Sequence, residues 1–320
     1  MSVILLALDP NNVPEAQARR IQSLKPDSRL EITDDREKIE PLLGEIEIAA
    51  GHFPVTWIPR AEKLRWFQQW GAGTDWLLRH PEIAGRDFIL TNASGVHAIP
   101  ISEHILAFML AFARGLPNAV RTQQQRDWNA NRQVTTFELA GKTVLIIGIG
   151  AIGRRTAQIT SALGMRVLGI RRNASKSPPE VERTGSPEQL YEMLPEADFV
   201  VLTQPLTEET RNMFDAKAFS KMKPSAYLIN IGRGGTVDEP ALIQALQSKQ
   251  IAGAGLDVFA NEPLPPESPL WEMDNVIITA HYSGSTPQYN RRALDIFLDN
   301  LKRYTGGEPL INVVDKKRGY

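Results

Sequence analysis

The sequence predicts an α/β protein organised around a doubly wound parallel sheet. Three observations predict it. Short apolar runs recur at near-regular intervals from Val144 onward, helix-start signals fall between them, and a glycine-rich turn joins the first of these runs to a helix-compatible stretch.

Taken in order, Val3 to Leu8 reads as a first strand that Asp9-Pro10 ends. Further strands are expected at Leu30 to Thr33, Ile46 to Ala50 and Phe88 to Asn92, separated by helix-like segments, and this part of the chain holds no phosphate loop. Trp66, Phe67, Trp70 and Trp76 read as core or domain-closure aromatics. From Ile99 the pattern changes: Ile101, Ile105, Phe108, Met109 and Phe112 recur at helical spacing in a segment apolar on more than one face. Such a helix is expected to lie buried between domains or subunits. Its apolar block, Ile105 to Ala113, is far shorter than the ~20 residues a bilayer requires. Six more strands follow at Val144 to Ile147, Val167 to Ile170, Phe199 to Thr203, Ala226 to Ile231, Gly253 to Phe259 and Val276 to Thr279. Ser186-Pro187-Glu188 and Asp238-Glu239-Pro240 each set a capping residue beside an early-helix proline. A last amphipathic helix, Pro287 to Tyr304, has Ser285 and Thr286 as candidate caps, ends before Gly306-Gly307, and is expected to return to the first domain.

Composition narrows the function. At 320 residues the chain is long enough for about two domains. Lys+Arg 36 against Asp+Glu 37 leaves a net charge of -1, without the basic excess that phosphate contacts to DNA or RNA demand, so no nucleic-acid partner is expected. With no cysteine, disulfides, thiolate metal sites and cysteine nucleophiles are excluded, and a reducing compartment is compatible. No positive residue precedes the short Val3 to Leu8 stretch as in a signal peptide, so the expected location is the cytoplasm, without a membrane anchor.

The strand ending at Ile147 runs directly into Gly148-Ile149-Gly150-Ala151-Ile152-Gly153. A strand before and a helix after this turn let backbone N–H groups meet a pyrophosphate, which points to dinucleotide binding. Gly148 shapes the turn, Gly150 admits the pyrophosphate and Gly153 allows close packing. An NAD site places an acid at the end of the second strand to hold the ribose 2′-hydroxyl, yet here that strand ends in Arg171-Arg172-Asn173. A guanidinium grips a 2′-phosphate through charge-assisted hydrogen bonds, so Arg171 and Arg172 favour NADP(H), with NAD(H) still possible.

Later strands carry ionisable residues near their C-terminal ends, where ligands bind in open α/β sheets. Arg233 sits in the glycine-rich Asn230-Ile231-Gly232-Arg233-Gly234-Gly235, where a fixed cation suits a substrate carboxylate. Glu262 and His281 follow successive strands and can form an acid–imidazole pair. His97, Glu103 and His104 match no zinc motif, so a helix-start role is expected for them and no metal.

In order along the chain, Gly71-Ala72-Gly73-Thr74-Asp75, Ser102-Glu103-His104, the glycine turn, Pro205-Leu206-Thr207, Met222-Lys223-Pro224, the Ile229 to Glu239 segment, Gly255 to Pro265, and Ser268 to Trp271 through Ile278 to Thr286 resemble the D-isomer-specific 2-hydroxyacid dehydrogenase family. The resemblance implies a Rossmann cofactor domain, residues 99–287, inserted into a smaller flavodoxin-like substrate domain, residues 1–98 and 288–320, with closure by hinge motion. It implies NADPH-preferring reduction of small 2-ketoacids such as glyoxylate, hydroxypyruvate or pyruvate-like compounds to D-2-hydroxyacids. In that scheme His281 is the acid/base, Glu262 orients it and Arg233 holds the substrate. Ala72 and Gly73 would bind the carboxylate, His52 and Phe53 would meet the substrate side chain, and Thr203, Pro205, Ile231, Asp257 and Gly284 would join the cofactor site. Two departures stand out: Arg171 replaces the family's common acid, and Thr203 stands where many members carry His. A homodimer is expected, through the Ile105 to Ala113 helix and the Arg121 to Thr136 arm. The competing reading, from the family's corepressor branch, is a dinucleotide-sensing interaction protein on the same scaffold.

Overall fold

The alternating apolar runs become two all-parallel sheets, one in each of two units: Met1–Val96 with Thr286–Tyr320, and His97–Ser285. The computed structural model describes every residue except Gln133, Lys176 and Tyr320, and excludes the side chains of Leu78, Asn131 and Arg132. The first sheet contains β1 (Ser2–Ala7), β2 (Ser28–Ile32), β3 (Ile46–Gly51), β4 (Trp66–Gln69) and β5 (Ile89–Thr91). Its order is β2-β1-β3-β4-β5. The second contains β6 (Thr143–Ile147), β7 (Arg166–Ile170), β8 (Arg183–Gly185), β9 (Phe199–Leu202), β10 (Tyr227–Asn230), β11 (Gly253–Leu256) and β12 (Val276–Ile278). Here the order is β12-β11-β10-β9-β6-β7-β8, and strand order reverses between β6 and β9. That reversal opens a crevice at the strand C-termini where ligands bind.

Strands buried on both faces read as unbroken apolar runs, and these strands show why. Side chains alternate between faces. In β6, Val144 and Ile146 enter one core layer while Leu145 and Ile147 enter the other. In β1, Val3 and Leu5 divide from Ile4 and Leu6 in the same way.

The Ala98–Ala113 helix packs largely within its own unit. Ile101, Ile105, Phe108, Met109 and Phe112 pack into a core layer of the helix's own unit, beside Ala157 of the Ala151–Ala162 helix, and Ile99 and Leu110 are left exposed. Its apolar character therefore comes from covering its own sheet. No single helix among the described residues is long and apolar enough to cross a membrane.

Two strands, β4 and β8, were not anticipated. Trp66 and Phe67 are core aromatics as expected, yet they belong to a strand paired with both β3 and β5. The capping expectation at Ser285 and Thr286 also fails: the last helix is Tyr289–Gly306, and its N-cap is Gln288 without a side-chain cap bond. The Thr286 hydroxyl, two residues ahead of the N-cap, instead accepts from Gln288 N at 3.3 Å. The helix does belong to the first unit, where Phe297 stacks on Trp66 at 5.3 Å between ring centres. The Arg121 to Thr136 arm includes Gln133, which lies outside the described residues.

A buried polar chain ties this helix to the first sheet. Asn300 Nδ2 donates to Gln68 Oε1 at 3.1 Å, Thr91 Oγ1 donates to the same oxygen at 2.8 Å, and Trp66 Nε1 donates to Thr91 Oγ1 at 2.7 Å. Asn300 also holds the last segment, accepting from Ile311 N at 2.8 Å and donating to Ile311 O at 3.1 Å. Asn300→Leu orphans the Ile311 groups and is expected to destabilise the protein by about 2–4 kcal/mol, measured by urea unfolding.

Candidate functional site

The phosphate turn follows β6 by steric necessity. Gly148 takes φ +95°, and a β-carbon there would lie 2.9 Å from Gln204 N. A β-carbon at Gly153 would drive into the Gly148 carbonyl, whereas at Gly150 nothing lies within 4 Å. Closeness at two glycines and open space at the third make a cradle. Thr203 supports it from below, its hydroxyl 2.5 Å from Gly148 O and 3.1 Å from Ile147 O. The Ala151–Ala162 helix starts here with Gly150 as N-cap, and the first-turn N–H groups of Ala151 and Ile152 have no acceptor within the helix. An anion placed there meets both those donors and the positive end of the helix dipole. Beside the turn Gln204 is 6% exposed, and neither its Oε1 nor its Nε2 has a hydrogen-bond partner. A buried, unsatisfied amide is what a site built for a polar ligand leaves when that ligand is absent. The residues present therefore fit a dinucleotide.

The ionisable residues sit at the ends of β10, β11 and β12. The side chain of Asn230 closes an Asx-type turn, its Oδ1 accepting from Gly232 N at 3.1 Å and its Nδ2 donating to Arg233 O at 3.2 Å, which sets the Arg233 backbone. Arg233 is half-buried and its Nη1 donates to Gly232 O at 2.8 Å. Glu262 accepts from Phe259 N at 3.0 Å through Oε1, and its Oε2 lies 2.7 Å from His281 Nδ1. Since the carboxylate can only accept, the imidazole proton sits on Nδ1 and Nε2 is left for proton exchange.

The backbone of His281 has φ +53°, a left-handed conformation uncommon outside glycine. Asp257 holds it there. The carbonyl of Asp257 accepts from His281 N at 2.9 Å, and its fully buried carboxylate accepts from Thr279 Oγ1 at 2.6 Å, Tyr282 N at 3.1 Å, Ser283 N at 3.1 Å and Ser283 Oγ.

Residues 106–283 match the model of the D-isomer-specific 2-hydroxyacid dehydrogenase NAD-binding domain, more than half of the chain. The chain belongs to the D-isomer-specific 2-hydroxyacid dehydrogenase family. It is similar to a glyoxylate reductase of Korarchaeum cryptofilum, with 34% identity over 263 residues, which is 80% of this chain and 78% of that relative. It is also similar to a D-3-phosphoglycerate dehydrogenase of Methanocaldococcus jannaschii, with 34% identity over 258 residues, but the match covers 81% of this chain and only 49% of that protein. Among solved structures, an NADPH-dependent glyoxylate/hydroxypyruvate reductase from Sinorhizobium meliloti, in complex with NADP and sulfate, superposes with a TM-score of 0.84 at 29% identity over 100% of both chains.

Within this dehydrogenase the site residues read from sequence fall into groups. Gly148, Gly150, Ala151, Ile152 and Gly153 form the cradle just described. At the end of β7, Arg171 N continues the sheet by donating to Gly185 O at 3.0 Å, and Arg172 Nη2 pairs with Glu209 Oε2 at 2.8 Å on an exposed surface. Pro205 is exposed next to Gln204, its carbonyl accepting from Thr210 Oγ1 at 2.7 Å. In the other unit Asn92 Nδ2 donates to Ala72 O at 2.8 Å, Gln69 Nε2 donates to Gly73 O, and the Ala72 and Gly73 N–H groups meet no acceptor among the described residues.

One expectation is corrected, and three further residues gain a structural setting. Phe53 is core rather than substrate-facing, packed edge-on against Phe67 at 5.9 Å and Trp57 at 6.4 Å, while its neighbour His52 is exposed. Ile231 is buried in a core layer. Asp257 has both oxygens engaged by the His281 segment, which it thereby shapes. Gly284 is a glycine because the His97 ring fills the place of a β-carbon, with Nδ1 2.8 Å from it. Gln204 was missed, although a polar residue directly after a buried strand and before Pro205 was the available signal.

Gly153→Val displaces the turn and is expected to weaken NADPH binding at least tenfold, roughly 1.4 kcal/mol, in a titration following NADPH fluorescence.

Proposed function

We propose that this dehydrogenase reduces small 2-ketoacids, with glyoxylate, hydroxypyruvate and pyruvate-like compounds as its substrate class, to D-2-hydroxyacids, and that it prefers NADPH to NADH. The observation that carries the reading is the Glu262–His281 pair at 2.7 Å, beside a strand end that presents Arg233. When bound, the nicotinamide dinucleotide supplies the hydride. A proton taken up on His281 Nε2 passes to the alkoxide oxygen forming on the substrate carbonyl, while Glu262 keeps the Nδ1 proton in place and the ring aimed. Arg233 supplies a fixed cation for the substrate carboxylate, and the Ala72 and Gly73 N–H groups are donors of the kind that bind a carboxylate.

Cofactor preference follows from charge. Arg171 stands where an acid would repel a 2′-phosphate, and Arg172 adds a second guanidinium. The Arg172–Glu209 pair is exposed, so giving up this partner costs Arg172 little. The NADP in the Sinorhizobium reductase supports the same preference.

A homodimer is also proposed. Ile99, Leu110, Leu116 and Val120 leave apolar side chains exposed along the Ala98–Ala113 and Leu116–Gln125 helices, a surface suited to burial against a second copy. Light scattering after size exclusion is expected to give twice 35.6 kDa, and Leu110→Glu with Val120→Glu is expected to return the monomer mass.

Initial rates of NADPH and NADH oxidation with glyoxylate, hydroxypyruvate, pyruvate and a branched 2-ketoacid test the enzymatic reading. Wild type is expected to favour NADPH, His281→Ala to lose roughly 10²–10⁴-fold in kcat, and Arg171→Asp to shift preference toward NADH. Cofactor binding without turnover of any ketoacid would reject the reductase and leave a dinucleotide-binding protein.

A further inference from the structure

We propose that His97 and His104 form a two-point brace that positions the segment Thr279 to Gly284, and with it the left-handed backbone of His281. The two histidines are seven residues apart at the start and middle of the Ala98–Ala113 helix, which places them on one helix face about 10 Å apart along the axis. They reach opposite ends of the segment. His97 Nδ1 lies 3.1 Å from Gly284 O, and His104 Nε2 lies 3.0 Å from Thr279 Oγ1.

The chemistry of the partners decides which nitrogen carries each proton. A carbonyl only accepts, so His97 donates from Nδ1. The Thr279 hydroxyl spends its single proton on Asp257 Oδ1 at 2.6 Å, so toward His104 it can only accept, and His104 donates from Nε2. The brace therefore runs from His104 through Thr279 to Asp257, whose carboxylate and carbonyl hold Ser283, Tyr282 and His281. At the other end the His97 ring packs against Gly284 where any larger residue would collide. The His104 ring is fixed edge-on to Phe108 at 4.6 Å and to Tyr282 at 5.7 Å. Burial pushes His104 below the usual histidine range, opposed by the nearby charge of Asp257. Neither histidine is assigned a part in proton transfer; each acts through the segment it holds, and the link to catalysis rests on His281 as the proton donor.

Matched amide substitutions test the brace. Asparagine places an amide nitrogen near a histidine Nδ1 and glutamine places one near Nε2, so His97→Asn and His104→Gln keep the donor while His97→Gln and His104→Asn misplace it. Hydrogen exchange at the Tyr282 and Ser283 amides, which donate to Asp257, reports the segment independently of turnover. The brace predicts exchange at least tenfold faster and kcat ten- to hundredfold lower in His97→Gln and His104→Asn. In His97→Asn and His104→Gln both stay within about threefold of wild type, and the Kd for NADPH is unchanged throughout. Equal exchange in the two members of each pair, or parallel loss of NADPH binding, overturns it. Should the exchange pattern hold while His281→Gln keeps full turnover, the brace stands and the proton-donor role of His281 is the part rejected.

Discussion

The end of the second sheet where Glu262 meets His281 depends on one buried negative charge. Asp257 follows β11 with no exposed surface, and an ionised carboxylate in that position is tolerable only when donors surround it. Those donors come from the Thr279, Tyr282 and Ser283 groups, so the segment after β12 must wrap around the carboxylate and carry His281 into a backbone conformation it would otherwise avoid. The position of the His281 ring is thus a consequence of an electrostatic demand made one strand away. Glu262 then needs only a short loop to reach the ring.

How much of this was legible in the chain depended on whether the determinants were local. The glycine turn could be read because strand, turn and helix are consecutive, and each glycine answers a contact within the motif or with the adjoining strand. Asp238 could be read as a cap because its oxygen accepts from Ala241 N, three residues on. The pairing of Glu262 with His281 was legible because each follows one of two successive strands, and those strands lie side by side. The strands β4 and β8 were not legible: the first is short and aromatic, and the second spans three residues whose order comes from pairing with β7. The burial of Phe53 and the occupation of Asp257 were hidden because their partners, Phe67 in one case and the 279–283 segment in the other, are distant in sequence. The histidines of the Ala98–Ala113 helix looked like ordinary helix-start residues for the same reason.

The surface at Arg172 obeys a softer electrostatic rule than the end that holds Asp257. Arg172 and Glu209 meet on an exposed surface where water competes with both charges, and such pairs contribute little to stability. Asp257 is rigidly satisfied, whereas Arg172 is held loosely enough to change partner. A doubly charged phosphate ester would compete well for that guanidinium at modest salt and less well as ionic strength rises.

The buried chain from Trp66 through Thr91 and Gln68 to Asn300 joins segments separated by more than two hundred positions, across the whole of the second unit. During synthesis on the ribosome, β1 to β5 emerge long before the helix that covers them, whereas residues 97–285 appear as one uninterrupted stretch. The second unit can therefore complete its core while the first still exposes one face of its sheet, the interval in which an uncovered parallel sheet is most prone to aggregate.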